Sequence, residues 1–436
     1  MDKSNKILKR LELLHPKKID LSLLRIKKLL KKMNNPHLNL PEIIHIAGTN
    51  GKGSVTSFLR SIFETSKFKV HTYTSPHLIR FNERIRINSE LISNYDLNLI
   101  LEECESFNKG EPITFFEITT AAAFLAFSKF NSDVVLMETG LGGRFDATNV
   151  IEKKKCSVIT PVSMDHMNFL GNSIMKIAKE KTGILKNSEI TIISKQKTSV
   201  RKIIRAEAKK KKIKLYEEGV NWKILDKNLE EKKFILNFEN RQYKFNFPNL
   251  YGEHQIENAS TAIATALSLK HEKIKINNIN QGLLNVSWPA RMQKLDNGKL
   301  SSFIGPNFEI WLDGGHNIDA SNMLKNIFNN WDNNSDIFMV MGMTIGKNPQ
   351  SFLNKIIKRI SGLFLLPIAN HQYIQPYEIK RNIKSAFKLS FEIECCLDII
   401  EALKIIRKNH TNGKIIICGS LYLAGEILKE DGFKIS

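Results

Sequence analysis

A glycine-rich stretch near the N-terminus has the residue types of a phosphate-binding loop. It reads IIHIAGTNGKGSVTSFLRSIF and predicts a short apolar strand, a turn over residues 48–53 and a helix that begins near Ser54. Glycines let successive N–H groups point at one anion, and the helix adds its positive N-terminal end. Lys52 would add a charge for the β/γ-phosphates, and Ser54 a hydroxyl near a metal ion. The spacing departs from G-x-x-x-x-G-K-[ST], because Ile46 takes the place of the first glycine. The alternative is an ordinary turn of an α/β sheet.

Three further polar residues follow predicted strands. Ser75 follows the strand over residues 69–74, Glu138 ends the strand DVVLME, and His166 lies in the loop after SVITP. Ligands gather at the carboxyl ends of the strands in an open α/β sheet, so these side chains are expected beside the phosphates. Hard oxygen ligands suit Mg²⁺, for which a histidine is a less usual partner. Each residue also has a structural alternative: a helix cap for Ser75, a capping or ion-paired carboxylate for Glu138, and a hydrogen-bonded loop histidine for His166.

The elements that must position these residues alternate along the chain. Residues 1–40 are predicted to be helical, with a break at His15-Pro16 and with Asp20 as the cap of the second helix. Strands and helices then alternate, which predicts a doubly wound, mainly parallel α/β sheet. Residues 214–247 change to shorter alternating segments and predict an antiparallel β patch. A helix over residues 258–269 follows.

The chain is long enough for two domains. The pattern predicts a first domain over residues 1–295 and a second, smaller α/β, Rossmann-like domain over residues 296–436. The four strands predicted in the second domain lie in EIWLDGGHN, DIFMVMGMT, GLFLLPI and KIIICGS.

Composition restricts the class of protein. No apolar run reaches the roughly 18 residues needed to span a bilayer, and the N-terminus lacks the apolar block of a secretory signal, so we expect a cytoplasmic protein. The five cysteines show no C-x-x-C spacing and are expected to be reduced and buried. The net charge of +21 is compatible with nucleic-acid binding. We favour a solvated basic surface that steers anionic substrates, because the run at residues 153–155 lacks interleaved aromatic residues and is expected to be solvated.

Taken together, these motifs resemble the folylpolyglutamate synthase/dihydrofolate synthase family of the Mur ligase superfamily. The matching stretches extend from residue 19 to residue 426 in the family's order: IDLSLLRI, HIAGTNGKGSV, YTSPHLIRFNERIRI, TFFEITTAAAF, METGLGGRFDATN, SMDHMNFLG, IAKEKTGILK, EHQIENASTAIA, WPARMQ, LDGGHN and GSLYLAGE.

The resemblance implies an ATP-dependent amide ligase, in which a substrate carboxylate is phosphorylated and the amine of L-glutamate attacks the acyl phosphate. It implies Mg²⁺ at two sites, with ATP as co-substrate. The implied metal ligands are Ser75, Glu138, His166 and Lys181, the last as a carbamate. The implied nucleotide contacts are Asn50, Gly51, Lys52, Gly53, Asn258, Arg291 and Asp313. The implied catalytic residues are Lys52, Glu138, His166, Lys181 and His316. Without the resemblance, Lys181 would be interpreted as a helix-surface lysine.

On the acceptor side, the resemblance implies a dihydropteroate site. Its residues are Ile19, Asp20, Leu21, Ser22, Thr114, Phe115, Phe116, Glu117, Phe145, Asp146 and Ala147, although Phe115 and Phe116 also suit core packing. Ser22 stands where the family often has glycine, and Gly315 where alanine is usual. Because the DATN motif is intact, we expect both ligation to dihydropteroate and extension of reduced folates. The expected partners are ATP, L-glutamate and these acceptors, bound by a monomer without nucleic acid or membrane.

Two alternative functions stay open at this point. One is a ligase of the same superfamily that acts on peptidoglycan precursors, which the pterin-side residues and the GTNGKGS form disfavour. The other is a basic nucleic-acid-binding ATPase.

Overall fold

The computed structural model describes residues 3–17, 19–332 and 335–435. These residues form two compact units. The first comprises the chain up to His77, Phe81–Asn249 and Gln255–Ser287. The second comprises Leu78–Arg80, Leu250–His254 and the chain from Trp288 onward. The predicted division between residues 295 and 296 stays a prediction.

The first unit contains an eight-stranded sheet in the order β4-β3-β2-β5-β1-β6-β7-β8. All its strand pairs are parallel except β2–β3 and β3–β4. This confirms the predicted mainly parallel α/β sheet. The strands are β1 (Glu42–Ala47), β2 (Val70–Tyr73), β3 (Ile85–Ile87), β4 (Glu90–Leu91), β5 (Val134–Glu138), β6 (Lys154–Ile159), β7 (Ser188–Ile193) and β8 (Lys214–Glu217).

Strand β1 lies between β5 and β6 at the centre of the sheet. It is buried from Ile43 to Ala47, because helices cover both faces of a parallel sheet and leave little room for polar residues. Its parallel pairing sets Ile46 opposite Glu138 and Ala47 opposite Ile159. The carboxyl ends of β1, β5 and β6 therefore meet at one edge.

Ten helices in the described part of the chain belong wholly or mostly to the first unit. They are α1 (Lys3–Glu12), α2 (Leu24–Lys32), α3 (Lys52–Thr65), α4 (Asn94–Asn108), α5 (Phe115–Lys129), α6 (Met167–Leu170), α7 (Ile174–Lys181), α8 (Thr198–Lys210), α9 (Glu253–Ser268) and α10 (Ile276–Asn285). None of the described helices is both long and apolar enough to cross a bilayer.

The predicted antiparallel patch is present as a three-stranded sheet in the order β11-β10-β9. Its strands are β9 (Trp222–Asn228), β10 (Lys233–Phe238) and β11 (Arg241–Asn246). The expectation that the patch begins at residue 214 is wrong, because β8 pairs in parallel with β7 as the edge strand of the large sheet. Short alternating segments do not reveal which sheet each one joins.

Other local predictions also need correction. Asp20 does not cap α2: the N-cap is Leu23, which makes no side-chain capping bond, and Asp20 instead accepts a hydrogen bond from Arg25. Lys154, expected to be solvated, is fully buried in β6. All five cysteines are free, but Cys395 is exposed rather than buried.

The second unit contains a six-stranded sheet in the order β12-β13-β17-β14-β15-β16, antiparallel only between β12 and β13. The strands are β12 (Gln293–Leu295), β13 (Phe308–Leu312), β14 (Ile337–Met341), β15 (Gly362–Leu365), β16 (Ile393–Cys395) and β17 (Gly413–Cys418). The helices are α11 (Lys299–Ile304), α12 (Ile318–Asn330), α13 (Pro349–Leu353), α14 (Pro376–Ala386), α15 (Ile399–Asn409) and α16 (Leu421–Asp431). The predicted Rossmann-like domain is thus an α/β layer structure. The sequence pattern does not predict the two edge strands, β12 and β16, because a strand of three residues is too short to show a hydrophobic periodicity.

Candidate active site

The glycine-rich loop connects β1 to α3, and close packing explains two of its glycines. Gly51 has φ of +83°, and a Cβ there would lie 2.4 Å from Oδ1 of Asn258. A Cβ on Gly48 would lie 1.8 Å from Oγ1 of Thr160. Only glycine tolerates both the backbone angle and the close approach. The loop is therefore held against Asn258, one of the predicted nucleotide contacts.

The loop is also bonded to the segment that follows β6. The backbone N–H groups of Thr49 and Asn50 donate to the carbonyl of Pro161 at 2.9 and 3.3 Å. The N–H of Ser163 donates to Oγ1 of Thr49 at 3.0 Å. The segment that leads to His166 therefore has a fixed position relative to the loop.

The structure brings Ser75 and Glu138 together. Glu138, at the end of β5, is 4% exposed, and its Oε2 accepts the N–H of Ser75 at 3.4 Å. Parallel strand ends converge, so Ser75, two residues after the end of β2, reaches the last residue of β5. The carboxylate and hydroxyl suit a hard divalent cation, and the chemistry of this pair fits the magnesium site expected from the sequence.

Lys181, at the end of α7, reaches the same loop. Its side chain is buried, and Nζ donates to the carbonyl of Gly48 at 2.7 Å. Burial, with the nearby charge of Lys52, lowers the pKa of Lys181 to about 7. A substantial fraction of this amine is therefore neutral near pH 7, unlike that of a surface lysine.

His166 is more exposed and is less tightly packed than the other predicted ligands. It adopts φ of +50°, its side chain is 45% exposed, and Nε2 lies 4.0 Å from Oδ2 of Asp165. Over residues 3–17, 19–332 and 335–435, no three His, Cys, Asp or Glu side chains are grouped to hold a metal ion. The predicted ligand set contains only two residues of these types, Glu138 and His166, so it stays a prediction.

Arg25 joins two of the predicted acceptor segments. Its Nη1 donates to Oδ2 of Asp20 at 3.0 Å, and its Nε donates to Oε2 of Glu117 at 2.9 Å. Glu117 also forms a capping box with Thr114 at the start of α5. The Glu117 carboxylate is 3% exposed, so its Oε2 serves the protein's own structure. Of the first segment, Ile19 is exposed, and Oγ of Ser22 accepts the N–H of Leu24.

The aromatic residues of the predicted acceptor site differ in exposure. Phe116 packs under Gly140, where a Cβ would lie 2.4 Å from the ring, so core packing explains this residue. Phe115 is half-buried against Phe81. Phe145 is 38% exposed, and the guanidinium of Arg144 lies 4.8 Å from its ring centroid. Phe145 is thus the most accessible aromatic surface of the predicted set.

Asp146 is buried and bonded within its own loop. It accepts the N–H of Leu141 at 2.7 Å and the N–H of Thr148 at 3.0 Å, and burial raises its pKa. Oγ1 of Thr148 donates to Oδ1 of Asp146 at 2.5 Å and therefore accepts from Nε2 of His45 at 2.8 Å. Burial lowers the pKa of His45, so the ring is neutral. This chain of bonds ties the loop that contains Phe145 and the buried Ala147 to β1.

A buried lysine that the sequence did not single out ties the same loop to the turn after Lys181. Nζ of Lys154 donates at 3.0 Å to Oδ1 of Asn149 and to the carbonyls of Ile184 and Lys186. The loop also contacts the end of α7 directly, because the N–H of Arg144 donates to the carbonyl of Glu180 at 2.7 Å. Within a run of three lysines, no sequence signal marks the one that is buried.

A cavity of about 350 Å³ lies beside Asn258 in the first unit. Trp222 and Ile224 of the antiparallel sheet, Glu218 and Glu257 contribute to its lining. Burial raises the pKa of Glu218. The mixed aromatic and polar lining of this cavity has the chemistry of a site for a flat heterocycle.

The remaining predicted residues lie in the second unit. Asp313 follows β13, is 3% exposed, and accepts the N–H groups of Met292 and Gly315 at 2.9 and 2.7 Å. Burial raises its pKa, whereas the charge of Arg291 acts in the opposite direction. Nδ1 of His316 lies 3.3 Å from the carbonyl of Gly314. A Cβ on Gly315 would lie 2.6 Å from Cβ of Ala320, so the local packing favours the glycine found here.

Comparison with known proteins identifies the family. The Mur ligase middle domain matches residues 46–266, and the dihydrofolate synthetase C-terminal domain matches residues 296–430. The chain is 32% identical to a dihydrofolate synthetase of Saccharomyces cerevisiae, over 94% of this chain and 98% of that protein. The chain belongs to the dihydrofolate synthase/folylpolyglutamate synthase family. It is therefore an acid–amino-acid ligase, as the sequence resemblance implied.

Other members of the family agree with this assignment. The dihydrofolate synthase/folylpolyglutamate synthase of Bacillus subtilis is 31% identical, over 93% of this chain and 94% of its own length. A crystal structure of a bifunctional folylpolyglutamate synthase/dihydrofolate synthase with Mn, AMPPNP and L-glutamate bound has a TM-score of 0.84 and 25% identity. It covers 98% of this chain and 97% of its own. The two-unit α/β fold is thus that of the family.

Proposed function

We propose that this chain joins L-glutamate to dihydropteroate, giving dihydrofolate, and adds glutamate to reduced folates. The observation that carries the proposal is the contact between Lys181 and the glycine-rich loop, at 2.7 Å, in a chain of this family. This bond holds the amine beside the proposed phosphate site, and a pKa of about 7 suits a group that is chemically modified for catalysis.

In the proposed reaction, an oxygen of the acceptor carboxylate attacks the γ-phosphorus of ATP, and ADP leaves. The amine of glutamate then attacks the acyl carbon, the C–O bond to phosphate breaks, and one amine proton is released. Phosphoryl transfer depends mainly on positioning and on neutralising charge. The backbone of Asn50, Gly51 and Gly53, with the ammonium of Lys52, would hold the phosphates.

We propose that the base of ATP occupies the cavity beside Asn258. Its aromatic wall at Trp222 suits stacking, and the carboxylates of Glu218 and Glu257 can accept hydrogen bonds from an exocyclic amine. Arg291 and Asp313 of the second unit are further proposed nucleotide contacts, with His316 beside them in the sequence.

Ser75, Glu138, His166 and a carbamate on Lys181 would hold two magnesium ions. Three of the four donor groups fit, because a carboxylate, a hydroxyl and a carbamate provide the oxygen ligands that magnesium prefers, whereas the imidazole of His166 is a less usual ligand. When bound, magnesium neutralises charge on the phosphate oxygens. The relative crystallised with manganese and AMPPNP supports the use of a divalent metal with a nucleotide.

The carbamate would form on the neutral amine of Lys181. The nitrogen attacks the carbon of CO₂, an N–C bond forms, and one N–H proton leaves to water. The product is an anion, so the modification would replace a buried cation by a ligand for a cation. The low pKa supports this step, because only the neutral amine is nucleophilic.

The acceptor is proposed to lie along the segments of Asp20, Thr114–Glu117 and Phe145–Ala147. Their support is structural: Arg25 links the first two, and the exposed ring of Phe145 offers a stacking surface. Monomeric state, cytoplasmic location and use of reduced folates stay predictions.

The test offers purified protein ATP, Mg²⁺ and labelled glutamate with dihydropteroate or tetrahydrofolate in separate reactions. We expect labelled product with each acceptor. Phosphate release only with a UDP-muramyl acceptor would favour a ligase of peptidoglycan precursors. ATP hydrolysis stimulated by DNA or RNA, with strong salt dependence, would favour the nucleic-acid alternative. Absence of glutamate incorporation into every pterin acceptor would contradict the proposal.

A further inference from the structure

Arg84 is a buried arginine that has no role in the reaction proposed above. It ends the turn Phe81–Arg84 immediately before β3 and is 9% exposed. Its Nε donates to Nδ1 of His77 at 2.9 Å. Its guanidinium carbon lies 5.2 Å from the ring centroid of Phe81 and 5.9 Å from that of Phe115. One bond and two aromatic contacts therefore fix its orientation.

The charge of Arg84 has no anion to pair with in the described part of the chain. Its terminal nitrogens Nη1 and Nη2 make no hydrogen bond or ion pair with any described residue. Arg25, by contrast, donates to both Asp20 and Glu117. A buried ion without a partner is costly, so buried arginines are normally paired. Neither terminal nitrogen is among the fully buried unpaired atoms of the described residues, so this end of the guanidinium stays accessible and can bind an anionic ligand.

The neighbours of Arg84 indicate which ligand this is. His77 lies two residues after Ser75, a proposed metal ligand whose N–H reaches Glu138. Phe115 belongs to the proposed acceptor segment at the start of α5. Arg84 thus contacts one residue from the segment beside the metal ligands and one from the acceptor segment. The acceptor of a ligase must present its carboxylate where these two regions meet.

The chemistry of the guanidinium favours a carboxylate attached to an aromatic ring. The flat fork of Arg matches the two oxygens of a carboxylate. Phe81 and Phe115 lie beside its faces and give the surroundings that an aryl ring prefers. The carboxylate of dihydropteroate is carried on such a ring.

From these contacts we infer that Arg84 binds the reacting carboxylate of the acceptor and holds it as phosphorylation occurs. The inference rests on the proposed function. It assigns Arg84 to recognition of the group that changes, whereas the residues around Phe145 would recognise the pterin.

The test measures binding rather than turnover. Dihydropteroate and its neutral carboxamide are titrated into the protein with AMPPNP and Mg²⁺, and the ratio of the two dissociation constants is determined. For the wild type we expect the carboxylate to bind roughly 10- to 100-fold more tightly, the range for a charged hydrogen-bonded pair. Arg84→Met should bring the ratio close to one and leave AMPPNP affinity unchanged.

Two further variants make the result specific. Arg84→Lys keeps the charge but loses the fork, so it should restore only part of the carboxylate preference. Arg86→Met is the matched control, because Arg86 is a neighbouring half-buried arginine whose Nη1 already donates to the carbonyl of Ser89 at 3.0 Å. Its ratio should equal that of the wild type. An unchanged ratio in Arg84→Met would overturn the inference.

The wild type alone keeps the inference testable if Arg84→Met does not fold. Equal affinities of wild-type protein for carboxylate and carboxamide would overturn it without any variant. Failure of the proposed function would give a different result. The wild-type protein would then bind neither compound and would incorporate no glutamate, and this result would contradict both proposals.

Discussion

At the residue scale, the environment of a side chain decides its chemistry. Lys181 and Lys52 are both lysines beside one loop, but only Lys181 is buried, and its pKa is lowered to about 7. Removing an ammonium from water disfavours its charged form, and a nearby positive charge adds to the effect. The same side chain that is inert on a surface thus becomes a nucleophile for CO₂ in the proposed reaction.

Replacement of Lys181 by alanine should remove ligation and leave room for a small anion. If a carbamate is needed, acetate should restore part of the activity in Lys181→Ala, because it supplies a carboxylate at the same place. Restoration is measured as glutamate incorporation by this variant with and without added acetate. Wild-type activity that is equal with and without CO₂ would contradict the carbamate.

Glu138→Gln should reduce ligation by at least about 100-fold, because the carboxylate that would hold magnesium becomes neutral. The fold should be retained, since glutamine has nearly the same shape and can still accept the N–H of Ser75. Activity and thermal unfolding are measured together. Glu42→Gln is the control, because Glu42 is exposed at the opposite end of β1. Wild-type turnover in Glu138→Gln would remove Glu138 from the metal site.

At the scale of elements, the site depends on loops that are tied to one another. The glycine-rich loop is bonded to the segment after β6, and the loop over residues 140–149 is bonded to β1 and to the turn after α7. Parallel strands bring their carboxyl ends to one edge, and short loops from neighbouring strands then come within bonding distance. Substitutions that remove these hydrogen bonds between loops should alter ligand binding as well as the stability of the fold.

Gly51→Ala and Gly219→Ala form a matched pair for the glycine-rich loop. Their φ angles are +83° and +81°, but an added Cβ meets Asn258 only at Gly51, while nothing lies within 4 Å at Gly219. Both should lose about 1–2 kcal/mol of stability through backbone strain. Only Gly51→Ala should also lose ATP affinity, by about tenfold or more. Equal ATP affinities in the two variants, measured by calorimetry, would show that the contact with Asn258 does not matter.

Thr148→Val tests the bonds that hold the acceptor loop to β1. Removal of the hydroxyl leaves buried polar atoms of His45 and Asp146 without this partner, and should cost about 1–3 kcal/mol in urea unfolding. Dihydropteroate affinity should fall while ATP affinity is kept. Thr191→Val is the control, because its buried hydroxyl has no hydrogen-bond partner among the described residues. Thr191→Val should therefore be neutral or stabilising, and an equal loss in both variants would refute this role for the bonds.

At the scale of the whole molecule, two buried lysines make stability depend on pH. Burial lowers the pKa of Lys154 and of Lys181 to about 7 from 10.5 in the unfolded chain. Between these values the unfolded state binds more protons, so stability should rise with pH. Buried Cys104 and Cys156 have raised pKa values, and their effect opposes this above pH 9. The rise should therefore be clearest from pH 7 to about 8.5.

The measurement is urea unfolding at pH 7.0, 7.5, 8.0 and 8.5 without added bicarbonate. Each lysine contributes a slope of up to about 1.4 kcal/mol per pH unit. Lys154→Met should remove the contribution of Lys154 to this slope. Lys155→Met should leave the slope unchanged, because Lys155 forms an ion pair with Glu189. If the free energy of unfolding of the wild type does not change with pH over this range, neither lysine has the lowered pKa on which the prediction rests.

Several features could be predicted from the sequence because they depend on local order. Apolar runs in β1 and β5 and the glycines of the loop each specify a local geometry that any α/β packing must accept. The family resemblance then supplied the ligase chemistry, which the comparisons confirm. The roles of individual site residues stay predictions, because no ligand contact follows from residue order.

Only the tertiary structure decided which polar groups are buried and what they contact. Lys154 lies in a run of three lysines, yet it alone of the three is fully buried, on carbonyls that are 30 and 32 residues away in the chain. Arg84 contacts a histidine and two phenylalanines, and it forms no ion pair with a carboxylate among the residues that the structure describes. The free-energy cost of burying a charge depends on neighbours that are distant in the sequence. Residue order therefore determined the helices and strands and the types of side chain they carry. Packing determined which charged side chains are buried and what they contact.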